Sequence, residues 1–348
     1  MKDAEHQISV VIPVYRGAAH LGALMAELDT LTKPQYTSDG HCFRVVEVVL
    51  AHDCGPDDSD RVIRELARQY DWIQAVWLSR NFGQHAATTA GMASTGGEWI
   101  ATLDEDGQHD PADIGRLLDA AMRAQSVLVY ARPVNPAPHP AYRRVSSRLA
   151  KRTLTLVGGG ADASLFNSYR LVLGEVGRSV AAYVGHGVYL DVALSWVAGK
   201  PATGPVTLRD EGMRESGYST RTLLSHFWRM VLSSGTRALR VVTVLGVAVA
   251  LLGVLMAAWV AVDRIAGSGV PRGWTSLMVV LLLALGTILF FLGVVAEYVG
   301  VAVNMATGRP LYLITTDPAE GPLGRRPARQ PDAPGSLTSD DDGRTARP

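Results

Sequence analysis

The sequence predicts an α/β domain on a mostly parallel sheet, followed by a pair of long apolar helices, and three observations carry that prediction. Short apolar runs of strand length alternate with stretches of helical periodicity through the first 130 residues. Two uncharged runs then occupy 241–262 and 273–296, each able at about 1.5 Å per residue to span a hydrocarbon layer of about 30 Å. Finally, 33 Lys plus Arg balance 33 Asp plus Glu over 348 residues, and only 19% of the chain is charged. A formal charge of zero provides no global field for nucleic acid, so any basic site is local.

Taken in order, ISVVIPV (8–14) precedes AHLGALMAELDTL, FRVVEVVL (43–50) precedes DRVIRELARQY, IQAVWL (73–78) precedes QHAATTAGMAS, and EWIATL (98–103) precedes PADIGRLLDAAMRA. SVLVYA (126–131) adds a fifth strand. Strand–helix alternation of this kind gives a parallel sheet whose ligands bind at the carboxyl ends of the strands. The GGG at 158–160 follows no strand and reads as a flexible turn, not a dinucleotide fingerprint. Cys42 and Cys54 form neither a Cys-x-x-Cys pair nor a ligand cluster, which points to a reducing compartment and no zinc.

The organisation that follows is an α/β domain over 1–218, an amphipathic interfacial region over 219–240, a transmembrane hairpin over 241–303 with spans at about 241–262 and 274–296, a post-membrane segment over 304–316, and a disordered tail over 317–348. Leu223, Phe227, Met230 and Val231 fall on one helical face and Ser225, Arg229 and Ser233 on the other, the pattern of a helix lying in a membrane surface. Arg221, Arg229, Arg237 and Arg240 approach the first span, whereas the hairpin loop has Arg264 and Arg272 beside Asp263. That bias places the bulk of a multi-pass protein on the cytoplasmic face of the cell membrane. The tail is rich in Pro, Gly and charge and has little apolar surface to bury.

The chemistry concentrates after the strands. In ATLDEDGQHDP, Asp104 and Asp106 sit two apart as the chain leaves the fourth strand, so in an extended segment both carboxylates face one hard cation, with Gln108 adding a neutral oxygen. Such a set leaves positions open and suits Mg²⁺ or Mn²⁺ shared with a pyrophosphate. After the second strand comes AHDCGPDDSD, with acids able to accept hydrogen bonds from a base or ribose; after the third comes LSRNFGQHAA, where Arg80 and Asn81 precede a helix N-terminus suited to an anion.

These segments, with RESGYS at 214–219, EYVG at 297–300 and GRPLYLI from 308, resemble the family 2 glycosyltransferases of GT-A fold. Within them, the chain is most similar to polyprenyl-phosphate sugar transferases of the dolichyl-phosphate mannose synthase and bactoprenol glucosyltransferase kind. The resemblance implies a metal-dependent, inverting transfer from a nucleotide diphosphate sugar to a polyprenyl phosphate at the bilayer. It implies that Asp104, Asp106 and Gln108 hold metal and donor pyrophosphate, that Asp104 and Asp106 are catalytic, and that Asp53 and Asp58 lie near the base. Pro13 and Tyr15 would form the floor under the nucleotide, Arg80 and Asn81 would meet the donor, and Arg132, Arg214, Ser219 and Arg221 would meet the phosphates of donor or acceptor. The hairpin offers a surface for a homo-oligomer.

Departures are visible too. Relatives read Asp-Asp-Gly-Ser where this chain has His52-Asp53-Cys54-Gly55, so His52 either contacts the base or is a satisfied strand-end histidine. Glu105 and Gly107 add charge and looseness to the metal loop, and Arg221 supplies the cation that Thr220 does not. The absence of a Gln-x-x-Arg-Trp motif argues for a single transfer per encounter. Two other readings remain open: a membrane-anchored glycosyltransferase with a glycan, lipid or small-molecule acceptor, and a non-catalytic nucleotide-sugar-binding membrane protein.

Overall fold

Strand β1 (His6–Val14) lies mid-sheet because both of its faces are apolar, as a parallel strand covered on two sides requires. The computed structural model describes residues 5–135 and 165–209, isolated positions between 246 and 262, and residues 273–322. In the first of these stretches the chain runs β1, α1 (Leu21–Asp29), β2 (Gln35–Tyr36), β3 (Cys42–His52), α2 (Ser59–Gln69), β4 (Ile73–Leu78), α3 (Gln84–Ala93), β5 (Trp99–Thr102), a 3₁₀ turn (Pro111–Asp113), α4 (Ile114–Ala124) and β6 (Leu128–Pro133). Then come β7 (Arg170–Leu173), α5 (Gly174–Tyr183), α6 (Leu190–Val197), β8 (Ala202–Val206), α7 (Trp274–Ala306) and β9 (Ile314–Thr315).

The strands form one sheet in the order β8-β6-β7-β5-β1-β3-β4-β9, with β2 beside β3. Pairs β1–β3, β1–β5, β3–β4 and β6–β8 are parallel; β7 enters antiparallel between β5 and β6, and β9 runs antiparallel to β4. The mostly parallel α/β sheet expected from the alternation is therefore present. The short β7, β8 and β9 lie beyond the last strand that alternation reveals.

Alternate residues sort onto two cores. Ile8, Val10, Ile12, Val48 and Leu50 join Leu24, Leu28, Ile63, Ile114 and Leu118 beneath α1, α2 and α4. Val11, Val49, Ala51 and Ile100 join Ala87, Ala90, Met92, Val180 and Leu194 beneath α3, α5 and α6. Helix α3 comes very close to the sheet: a Cβ on Gly91 would stand 2.4 Å from Val11 Cγ1. A larger residue there would push the C-terminal half of α3 away from β1.

Beyond residue 209 less is described. Gly246, Ala248, Leu251, Gly253, Leu255, Ala258, Trp259 and Val262 are helical, and α7 is continuous over 33 residues with Leu285, Ile288, Leu289 and Leu292 exposed. Taken over the described residues alone, no helix is long and apolar enough to cross a membrane. The interfacial region 219–240 and the hairpin loop 263–272 lie outside the described residues. One boundary moves: Asp317, expected to open the tail, is packed into the domain with its side chain 11% exposed, and the described chain continues to residue 322.

Candidate active site

Parallel register aligns the carboxyl ends of the central strands along one edge. Val14 stands opposite His52 and His52 opposite Trp77, while Val11 of β1 pairs with Thr102 of β5. The segments leaving β1, β3, β4 and β5 thus form one rim, as expected for ligands on an open α/β sheet.

The loop after β5 carries the densest array of acids. Asp104 is one-quarter exposed; its Oδ1 accepts from Gln84 Nε2 at 2.6 Å and its Oδ2 from Ser168 Oγ at 2.5 Å. Its backbone N–H points to His109 Nδ1 at 3.4 Å. Two residues on, Asp106 Oδ1 accepts the Gln108 N–H at 3.1 Å, a tight turn that Gly107 permits with φ of +75°. Asp104, Asp106 and Gln108 are all half-buried. Hard oxygens on a solvent-facing loop fit a divalent cation shared with a diphosphate.

Glu105, between them, turns the other way. Its carboxylate accepts the N–H of Tyr15 at 2.8 Å and of Arg16 at 2.9 Å, so it fastens the loop after β1 to the loop after β5. Burial pushes its carboxyl above the usual glutamate range, and the two N–H groups pull it back in part. The looseness expected of Glu105 and Gly107 is therefore countered by a clasp. Of the two residues expected as a floor, Tyr15 is exposed at the rim, with its N–H held by Glu105, whereas Pro13 is buried within β1.

At the end of β3, His52 and Asp53 face opposite sides. The His52 ring lies edge-on to Trp77 at 5.3 Å, 6% exposed, and burial lowers its pKa. Its Nε2 is buried without a hydrogen-bond partner. Asp53 is 3% exposed and accepts from the Phe82 and Gly83 amides at 2.7 and 2.8 Å. Both oxygens of this expected base contact thus already hold the loop between β4 and α3. Cys54 adopts φ of +48° and donates to the Leu78 carbonyl, and a Cβ on Gly55 would lie 1.7 Å from the Tyr15 carbonyl oxygen. Of the two following acids, Asp58 is exposed, whereas Asp57 is occupied by Ala18 N–H and Ser59 Oγ.

Arg80 and Asn81 are exposed on the loop that Asp53 holds, the Arg80 guanidinium 4.2 Å from the Phe82 ring centre. They lead into α3, whose first N–H groups present partial positive charge to the rim. On the other side, β7 brings Ser168 to Asp104 and buries Arg170 beneath it. Arg170 pairs with Asp191, which also accepts from Tyr130 OH at 2.9 Å, and Arg170 Nε reaches Thr102 Oγ1 at 3.2 Å. A buried guanidinium so compensated stiffens the ground on which Ser168 stands.

Arg132, the penultimate residue of β6, lines a cavity of about 480 Å³ with Pro133, Val134, Thr203 and Pro205. It shares the rim but is separated from β5 by β7. Arg214, Ser219 and Arg221 lie outside the described residues; the chain departs toward them from Arg209, whose N–H bonds the Gln108 carbonyl and whose guanidinium pairs with Glu27 and Asp110. The structure therefore gathers Asp104, Asp106, Gln108, Tyr15, Arg80 and Asn81 on one rim. Sequence reasoning missed the fastening role of Glu105 and the contacts of Gln84, Ser168, Arg170 and Asp191. Gln84 was within reach, since it opens the helix after SRNFG; Ser168 follows no periodic signal.

Among the described residues, one group of three metal-capable side chains has ligand atoms within 4.8 Å of one another: Asp39, His41 and Asp119. It lies at the amino end of β3, opposite the rim, and Arg123 already pairs with Asp39. It reads as an ion-pair network.

The family model described as Glycosyl transferase family 2 matches residues 9–173. An undecaprenyl-phosphate 4-deoxy-4-formamido-L-arabinose transferase of Pseudomonas paraeruginosa is 30% identical over 310 residues, covering 88% of this chain and 89% of the relative. The chain belongs to glycosyltransferase family 2. A Klebsiella pneumoniae protein of the same name is 28% identical over 322 residues, covering 88% of this chain and 92% of that one. Among solved structures, glucosyl-3-phosphoglycerate synthase from Mycobacterium tuberculosis, in complex with Mn²⁺, UDP and glucosyl-3-phosphoglycerate, is 17% identical with a TM-score of 0.48 over 67% of this chain and 80% of that one. As a family 2 glycosyltransferase, the chain has its matched region ending at β7, so that region includes the loops after β4 and β5 and Ser168.

Proposed function

We propose that this glycosyltransferase moves a sugar from a nucleotide diphosphate sugar to a polyprenyl phosphate at the cytoplasmic face of a membrane. The observation that carries the reading is the Asp104–Asp106 loop, braced by Gln84 and Ser168 beside the α3 N-terminus. The acceptor is supported by the names of the relatives, which align along nearly their whole length. Membrane anchoring is supported by the uncharged runs at 241–262 and 273–296 and the exposed apolar side chains of α7.

In this mechanism Asp104, Asp106 and Gln108 would hold Mg²⁺ or Mn²⁺, which when bound neutralises charge on the leaving diphosphate. Gln84 and Ser168 fix the Asp104 carboxylate, so little reorganisation is needed during reaction. Tyr15 offers an aromatic floor to the nucleotide, and Arg80 with the α3 amides faces its phosphates. A polyprenyl phosphate is already anionic at neutral pH and needs little general-base help; attack from the face opposite the leaving group inverts the anomeric carbon. Arg132, and Arg214, Ser219 and Arg221 beyond the described residues, complete the phosphate contacts in this proposal.

The test is incubation of the full chain in detergent with polyprenyl phosphate, Mg²⁺ or Mn²⁺ and a panel of labelled nucleotide sugars. Acid-labile label in the organic extract is the expected result and names the donor. Nucleotide release without labelled lipid shifts the reading to another acceptor, and tight nucleotide binding without turnover shifts it to a non-catalytic binder.

A further inference from the structure

The segment after α7 is not used by the chemistry above, yet it is built into the rim. Strand β9 pairs with the last two residues of β4, Trp77 opposite Thr315 and Leu78 opposite Ile314. The next amide, Ser79 N–H, bonds the Leu313 carbonyl at 3.0 Å, and Thr315 Oγ1 reaches the Trp77 carbonyl at 3.4 Å. Tyr312 packs on the same core satellite as Phe82. Asp317 then takes both Arg64 Nε and Nη2, at 2.7 and 2.9 Å, while Arg64 Nη1 bonds Asp60 and the guanidinium lies 4.9 Å from the Trp77 ring centre. A two-pronged pair of this kind, sheltered on both sides, is stronger and more directional than a surface ion pair.

The donor loop 79–83 is therefore held at both ends, by Asp53 on the Phe82 and Gly83 amides and by β9 on Ser79. Helix α7 ends at Ala306, seven residues before Leu313, and seven extended residues reach at most about 25 Å. The end of the 33-residue helix α7 is thus tied by a short lead to the exit of β4.

We propose that residues 312–317 are a strap that registers α7 on the donor loop, with Arg64 and Asp317 as positioning residues for nucleotide binding. This rests on the donor-site reading above. Backbone hydrogen bonds join the strap to the exit of β4 and to Ser79, and the Arg64–Asp317 pair fixes its far end, so releasing the strap loosens the loop without touching the Asp104–Asp106 acids.

The experiment uses the full chain in detergent and compares wild type with Asp317→Asn, Asp317→Glu and Arg64→Lys, measuring amide hydrogen exchange and binding of UDP and GDP with Mn²⁺. Asp317→Asn is expected to speed exchange at Ser79, Phe82 and Gly83 and to weaken nucleotide binding roughly tenfold, the scale of one lost charged hydrogen-bond pair. At saturating donor, turnover should stay near wild type, and Asp317→Glu should recover most of the affinity. Arg64→Lys, which keeps the charge without the fork, gives the same pattern in milder form and serves if Asp317→Asn does not fold. Faster exchange at 313–315 with unchanged exchange at 79–83 and unchanged affinity overturns the strap. If wild type binds no nucleotide, the donor-site reading fails, and the exchange data still decide whether the two segments are coupled.

Discussion

The loops after β3 and β5 both put acids at a strand end, and they use them in opposite ways. Asp53 is buried with both oxygens on backbone amides of the neighbouring loop; Asp104 is one-quarter exposed and held by side chains, with Asp106 beside it open to the rim. An acid that accepts main-chain N–H groups of a neighbouring loop becomes a fastener, whereas Asp104, met by a hydroxyl and a side-chain amide, and Asp106, met by the Gln108 N–H of its own turn, stay at the rim. Glu105 shows both outcomes within a single loop, since it fastens Tyr15 and Arg16 between two acids that do not.

Breaking the available side of this comparison has the largest effect. Asp106→Ala is expected to lower sugar transfer by on the order of a hundred- to a thousandfold while the melting temperature stays within a few degrees of wild type, read by a transfer assay and a thermal melt on one preparation. Breaking the fastening side should show first in stability. Asp53→Ala leaves two part-buried N–H groups without their carboxylate and is expected to cost about 1–3 kcal/mol in chemical denaturation, with weaker donor binding as the 79–83 loop relaxes.

A finer cut removes the brace and keeps the acid. Ser168→Ala is expected to reduce turnover about tenfold with little change in donor affinity, measured as separate kcat and KM values; an equal loss in both would place Ser168 in binding instead. The smallest effect is a pH slope. Because burial raises the Glu105 carboxyl, its contribution to stability is full below the usual glutamate range and fades as pH rises through the elevated value. Glu105→Gln should lack that slope, so its melting temperature relative to wild type should rise between pH 4 and pH 7, by the equivalent of less than about 1 kcal/mol.

Much of this comparison was legible in the sequence. The strand alternation placed Asp53, Arg80 and Asp104 at the ends of β3, β4 and β5, because period-two and period-3.6 patterns survive in a single chain. What could not be read is the direction in which each acid turns. Asp53 and Asp58 both looked like base contacts, yet Asp53 faces the Phe82 amide and Asp57, its unremarked neighbour, takes the Ala18 and Ser59 contacts. Such choices depend on which backbone N–H groups a neighbouring loop leaves unpaired. Ser168, Arg170 and Asp191 were invisible for a related reason: β7 is a four-residue antiparallel strand inserted between two others, and no local pattern announces where it docks.

The place of β9 at the end of the sheet also bears on how the chain avoids sticking to itself. Without it, the last residues of β4 would offer free amides and carbonyls beside Leu78, a template on which another extended chain could add. A catalytic fragment cut before α7 loses its own cover along this edge. The residues that follow the long helix α7 thus shield the edge of the catalytic sheet, so the part of the chain beyond the α/β domain also bears on the solubility of that domain.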